Sequence, residues 1–110
     1  MSRTEQTFNR EVVINTVSKV GTIVKIVVAN KAGTSDNIAC INGRFCAIES
    51  KLAYNSMSQL QKTFMVNVVR DGGLSVCAKT LEDVEWIIDM AVNNKAMEVP
   101  ESWEPPDFDL

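Results

Sequence analysis

The sequence predicts an α/β domain, with elements in the order α-β-β-β-α-β-α and a mixed central sheet flanked by helices. Three observations carry this. Apolar residues recur at helical spacing in three stretches, and these alternate with short β-branched or apolar runs. Asn42-Gly43 lies between two such runs and is a strong hairpin signal, because a type I′ turn needs positive φ at both central positions. Near the end, a strand-helix-strand succession predicts a right-handed crossover to a parallel strand.

The elements follow in order. Residues 3–20 read as an amphipathic helix with Phe8, Val12, Val13, Val17 and Val20 on one broad face, Gly21 as its stop, and Ser2 with Glu5 as a capping box. Residues 23–29 are β-branched and read as a strand; Asn30 to Ser35 then form a turn containing Gly33. The hairpin strands run from Asp36 to Ile41 and from Arg44 to Lys51. Ile38, Cys40, Phe45 and Ala47 share one face, and Ala39, Ile41, Cys46 and Ile48 the other, so helices are expected above and below. Leu60, Phe64 and Val68 define a second helix, closed near Gly72-Gly73. Leu74–Ala78 is a short strand, and Thr80 caps a last helix with Leu81, Val84, Ile87, Ile88 and Val92. Residues 1–95 thus form the folded domain. Residues 96–110, with all three prolines and five acids, read as an extended, flexible acidic tail.

Composition narrows the chemistry. The 110 residues suit one domain, and 45% hydrophobic with 23% charged residues reads as soluble and globular. No apolar run approaches the roughly 18 residues of a membrane span, and the polar N-terminus is not a signal peptide, so a cytoplasmic location without membrane association is expected. Cys40, Cys46 and Cys77 lack metal-type spacing and read as reduced core residues. There is no histidine. That excludes Ser-His-Asp and Cys-His nucleophile systems and imidazole-based zinc sites, leaving hydrolysis to carboxylates, lysine and a hard, oxygen-liganded metal. The net charge is −3, but residues 1–79 hold ten Lys/Arg against five Asp/Glu while residues 80–110 hold one against nine. The first part can therefore offer a phosphate-binding surface that the overall charge conceals.

With Asn42-Gly43 as the turn, Ile41 faces Arg44, and counting outward sets Asp36 opposite Glu49 as a non-hydrogen-bonded pair. Lys51, two residues on, shares the face of Glu49. Opposed carboxylates repel unless a cation lies between them. In the plainer reading Lys51 is that cation, in an ion cluster; the sharper reading is a divalent metal held by both carboxylates, with Lys51 beside the reacting phosphate.

Asp36 on one hairpin strand and Glu49-Ser50-Lys51 on the next, within this element order, resemble the PD-(D/E)xK nuclease superfamily and its restriction-endonuclease-like core. The chain looks most like the virus-type replication-repair nuclease (VRR-NUC) domains, through Glu5, Lys25, Gly33-Thr34-Ser35-Asp36, Gly43, Glu49-Ser50-Lys51, Ser58-Gln59-Leu60-Gln61 and Gly72. The matching stretches cover roughly residues 3–89. Ser35 stands where the family usually has proline, and Ser50 replaces a commonly apolar residue whose side chain is not asked for chemistry.

The resemblance implies a metal-dependent endonuclease hydrolysing DNA phosphodiester bonds, selective for branched substrates such as four-way (Holliday) junctions, and working as a homodimer in DNA repair or recombination. It implies Mg²⁺ or Mn²⁺ held by Asp36, Glu49 and the backbone carbonyl of Ser50, with Lys51 acting on the attacking water and the charged phosphate. Glu5 would face the metal site, against its alternative as a helix cap; Gln61 would lie near lysine and phosphate, against its own capping box with Ser58. Lys25 points either to the site or to solvent, and Lys31 and Arg44 are loop cations that could meet phosphate. Trp86 and Trp103 read as packing residues, and the acidic tail as a solubilising segment, a cover for the basic surface or a dock for a partner protein. A non-catalytic DNA-binding module or an RNA-directed nuclease on the same fold are the other readings.

Overall fold

The computed structural model describes residues 4–103. Four strands form one mixed sheet in the order β1 (Thr22–Lys25), β2 (Asn37–Ile41), β3 (Arg44–Ser50), β4 (Leu74–Ala78). The first three run antiparallel, and β3 and β4 are parallel, as a helical crossover between them requires. Among the described residues three helices cover the sheet: α1 (residues 5–17), α2 (Gln59–Arg70) and α3 (Leu81–Val92). None of the helices searched is long and apolar enough to cross a membrane.

The turn of the hairpin adopts φ of 52° at Asn42 and 78° at Gly43, both positive as a type I′ turn demands. Its register runs Ile41 to Arg44 outward to Asn37 opposite Ile48, which continues to Asp36 beside Glu49. One face of the sheet carries Ala39, Ile41, Cys46, Ile48, Leu74, Val76 and Ala78 into a core closed by Phe8, Val13 and Val17 of α1 and Val84, Ile87 and Ala91 of α3. The other face receives α2, with Ser75 Oγ donating to the Met65 carbonyl at 3.0 Å.

Several elements differ from their sequence expectation. Helix α1 is capped by Thr4, whose side chain accepts from the Thr7 amide, so Glu5 is free of a capping role; Ser2 lies outside the described residues. Its middle, Asn9–Ile14, is a π-helix. Phe8 and Val13 are both buried although five residues apart, a spacing the wider π turn brings back to one face. Strand β1 stops at Lys25, and Val27 and Val28 are exposed: the β-branched run continues where the chain has left its partner strand. Helix α2 buries Met65, Val66 and Val69, while Leu60 is exposed, because the sheet meets the flank of the Leu60-Phe64-Val68 stripe. Leu81 and Val92 lie exposed at the ends of α3. Cys40 is exposed too, on the part of the sheet that α2 leaves open beside the half-open Phe45. Residues 96–103 do not leave the domain: Met97 packs on the core, and a 3₁₀ turn at Glu101–Trp103 lies against α2.

Candidate active site

The site forms where the hairpin opens. Gly33 brings the preceding loop against the first turn of α2; at φ 84° and with a Cβ there 2.3 Å from the Leu60 carbonyl oxygen, no side chain fits. The chain then enters β2 through Ser35 and Asp36. Asp36 and Glu49 hold each other through the backbone: the Asp36 amide donates to Glu49 Oε1 at 3.2 Å, and the Ser50 amide donates to Asp36 Oδ2 at 3.0 Å. Glu49 is 2% exposed. Burial first, then the adjacent Asp36 charge and a hydrogen bond between the two carboxyls, push the Glu49 carboxyl up to about 8; Lys51 works in the opposite direction.

Lys51 Nζ lies 3.9 Å from Glu49 Oε2. Gln61 completes the capping box and also reaches the acid pair: its Oε1 accepts from the Ser58 amide at 2.9 Å while its Nε2 donates to Glu49 Oε2 at 3.1 Å. The capping box thereby aims one amide at the carboxylate. Glu5 reaches across from α1 to accept from the Asn55 side chain and from the Leu52 amide at 3.3 Å. The Asn55 bond foremost, against the cost of burial and with help from the Leu52 amide and Lys51, holds the Glu5 carboxyl below the usual range. Glu5, Lys25, Asp36, Gln6 and Asn9 line one cavity of about 160 Å³. Lys25 pairs with Asn37 across the strands, which settles its direction toward the α1 side of the sheet.

One candidate phosphate contact is engaged away from the carboxylates. Arg44 is at the turn end of the hairpin, bound to the Lys95 carbonyl at 2.9 Å, the Gly72 carbonyl at 3.1 Å and Asn94 Oδ1 at 3.4 Å. Lys31 is exposed in the loop before Asp36.

A buried neutral network behind the carboxylates is not foreseen from the motifs. Asn9 and Asn37 exchange amide hydrogen bonds, Asn37 Nδ2 also donates to the Ile48 carbonyl at 3.2 Å, and Ser50 Oγ donates to Asn9 Oδ1. The Ser50 hydroxyl therefore pins the backbone between Glu49 and Lys51 to α1. The available signal was alternation: Asn37 falls on the same face as Ala39 and Ile41, where an unpaired amide would be costly. Ser35 Oγ, also buried, has no hydrogen-bond partner among the described residues.

Among the described residues, no group of three or more His, Cys, Asp or Glu side chains is arranged to hold a metal ion. A cation here would draw on Asp36 and Glu49, with oxygen from the Ser50 backbone, water and substrate completing the shell, a donor set of the hard type that Mg²⁺ and Mn²⁺ accept. The close approach of the Asp36 and Glu49 carboxylates, with Glu49 buried, is the arrangement such an ion would fit. Comparisons of the chain with family models, with curated proteins and with solved structures give no match.

Proposed function

We propose that this domain is a Mg²⁺- or Mn²⁺-dependent endonuclease of the PD-(D/E)xK type, similar to VRR-NUC domains, that hydrolyses phosphodiester bonds in branched DNA. The observation that supports it is the buried Glu49 set against Asp36, with Lys51 and Gln61 on the same carboxylate. A lone structural carboxylate in this position would gain nothing from a second acid beside it.

Asp36 and Glu49 would hold the metal. Bound there, it supplies Lewis acidity to a phosphate oxygen and lowers the pKa of a water. The chain's own groups do the rest. Gln61 fixes the rotamer of Glu49 from one side and the Asp36 amide from the other, so the carboxylate is set before substrate arrives. Lys51 places a positive charge beside the phosphate as it becomes pentavalent and orients the attacking water. Glu5, kept ionised by Asn55 and Leu52, lines one cavity with Asp36 and would bear on a bound metal through water.

One chain carries one such site, and paired cuts across a junction need two, so the working form is a C2 homodimer. Purified protein incubated with Mn²⁺ and labelled four-way junction, linear duplex, single-stranded DNA and RNA tests the reading. Junction cleavage above duplex cleavage is expected, with a dimer in sedimentation equilibrium. No cleavage of any substrate leaves a DNA-binding module; cleavage of RNA alone reassigns the substrate.

A further inference from the structure

A second cavity, of about 310 Å³, opens on the α2 side of the sheet between Ser56, Met57, Lys62, Cys77, Lys79 and Trp103. Its position follows from the ladder. Cys77 is the parallel partner of Glu49, so the floor of the cavity lies on the strand next to the one that carries the carboxylate, the two backbones about 4.8 Å apart. Lys62 follows Gln61, the residue bound to Glu49, and Lys79 closes β4, its ammonium 3.3 Å from the Ala53 carbonyl. Two cations on separate elements thus flank a cleft beside the hydrolytic site. The nearby Asp83 carboxylate is already engaged by the Lys79 and Thr80 amides. Trp103, which sequence alone assigns to packing, forms the outer wall from a short 3₁₀ turn rather than from the core.

The chemistry of these walls suits one partner class. An indole wall offers a face to any base, and two ammonium groups suit the flanking phosphates. The volume lies at the lower limit of ligand-sized clefts, about 300–1,000 Å³, which admits a single nucleotide and no duplex. We propose that this cavity takes one unpaired nucleotide of the strand being cut, its base stacked on Trp103 and its phosphates held by Lys62 and Lys79. The inference rests on the nuclease reading above and implies that branched substrates carrying an unpaired nucleotide, or whose branch point opens to supply one, are preferred over continuous duplex.

The test uses binding without divalent metal, so it is independent of cleavage. In a Trp86→Phe protein, Trp103 is the remaining tryptophan and its fluorescence reports stacking. Titration with a short single-stranded thymidine oligonucleotide should quench it, whereas an abasic strand of the same length and a blunt duplex should not. Lys62→Ala and Lys79→Ala should each weaken binding several-fold and reduce the salt slope by about 1. Trp103→Phe should retain most of the affinity and Trp103→Ala lose roughly tenfold, the low end of base–aromatic stacking. Equal quenching by the abasic strand, or a Trp103 that responds to no strand because the cleft holds a protein segment, overturns the inference. Cleavage by wild type with unaltered strand binding by Trp103→Ala would remove this subsite and leave the nuclease reading standing. Quenching without any cleavage would do the reverse.

Discussion

The two ends of the β2–β3 hairpin both carry polar groups and spend them differently. At the turn, Asn42 Nδ2 donates to the Ala91 and Val92 carbonyls, and Arg44 binds the Gly72 and Lys95 carbonyls. These donors satisfy the free carbonyl ends of helices and the chain beyond them, so each charge or amide meets its complement. At the open end, the same strands bring two carboxylates together, bury one of them and leave a lysine at 3.9 Å as partial compensation. The turn end is complete as it stands; the open end would become so with a cation between its carboxylates. Polar residues that stabilise and polar residues poised for chemistry are thus distinguished by whether their interactions close among themselves.

The most forceful way to break this contrast is Asp36→Asn. The asparagine keeps an oxygen for the Ser50 amide, so the metal-free fold should hold or gain, within about 1 kcal/mol. Cleavage should fall by roughly 10³-fold or more as the metal loses an anionic ligand. Mn²⁺ should raise the melting temperature of the parent and not of the variant. A variant that cuts at the parental rate would sink the assignment.

Lys51→Ala separates holding a metal from using it. Stabilisation by Mn²⁺ should survive, and hydrolysis should drop by at least about 10²-fold. Retention of full activity would reduce Lys51 to an ion-pair partner.

Acidity sharpens the comparison without any substrate. Glu49 titrates near 8 in the fold and near 4.3 in an unfolded chain. Between those values the folded protein keeps a proton that the unfolded chain has released. Its stabilising share is full below about pH 4.3 and is lost as pH rises through about 8. Urea unfolding in chelator at pH 5 and pH 8 should show the parent losing stability relative to Glu49→Gln. A parent that gains on that variant as pH rises contradicts the geometry.

The smallest effect belongs to the turn end. Arg44→Met should cost about 1–2 kcal/mol through its lost carbonyl contacts, with cleavage per folded molecule unchanged. A selective loss of activity would mean that the two ends are not separate.

The hairpin was legible because one dipeptide sets a register, and the register alone places Asp36 beside Glu49. The caps at Thr80 and Ser58 were equally local, and the strand Leu74–Ala78 was bounded by its own glycines and cap. What escaped depends on contacts between elements. The buried stripe of α2 was misplaced because sequence gives the period of a helix and not which flank meets the sheet. The Asn9–Asn37–Ser50 network joins three elements, so no single window contains it. The cavity under Trp103 arises because residues 96–103 fold back, against a composition that reads as a solvated tail.

The π segment of α1 gives the molecule an adjustable joint. A π turn accommodates one residue more than an α turn, and one residue corresponds to about 100° of rotation around a helix axis. Rewinding the same residues as an α-helix would rotate the first turn by about that angle, carrying Glu5 from Leu52 and Asn55. Deleting one exposed residue of Asn9–Ile14, such as Glu11, should instead restore an α-helix with Phe8, Val13 and Val17 still seated and Glu5 in place. The winding of this helix, more than the identity of its side chains, therefore sets the angle at which its acid addresses the rest of the site.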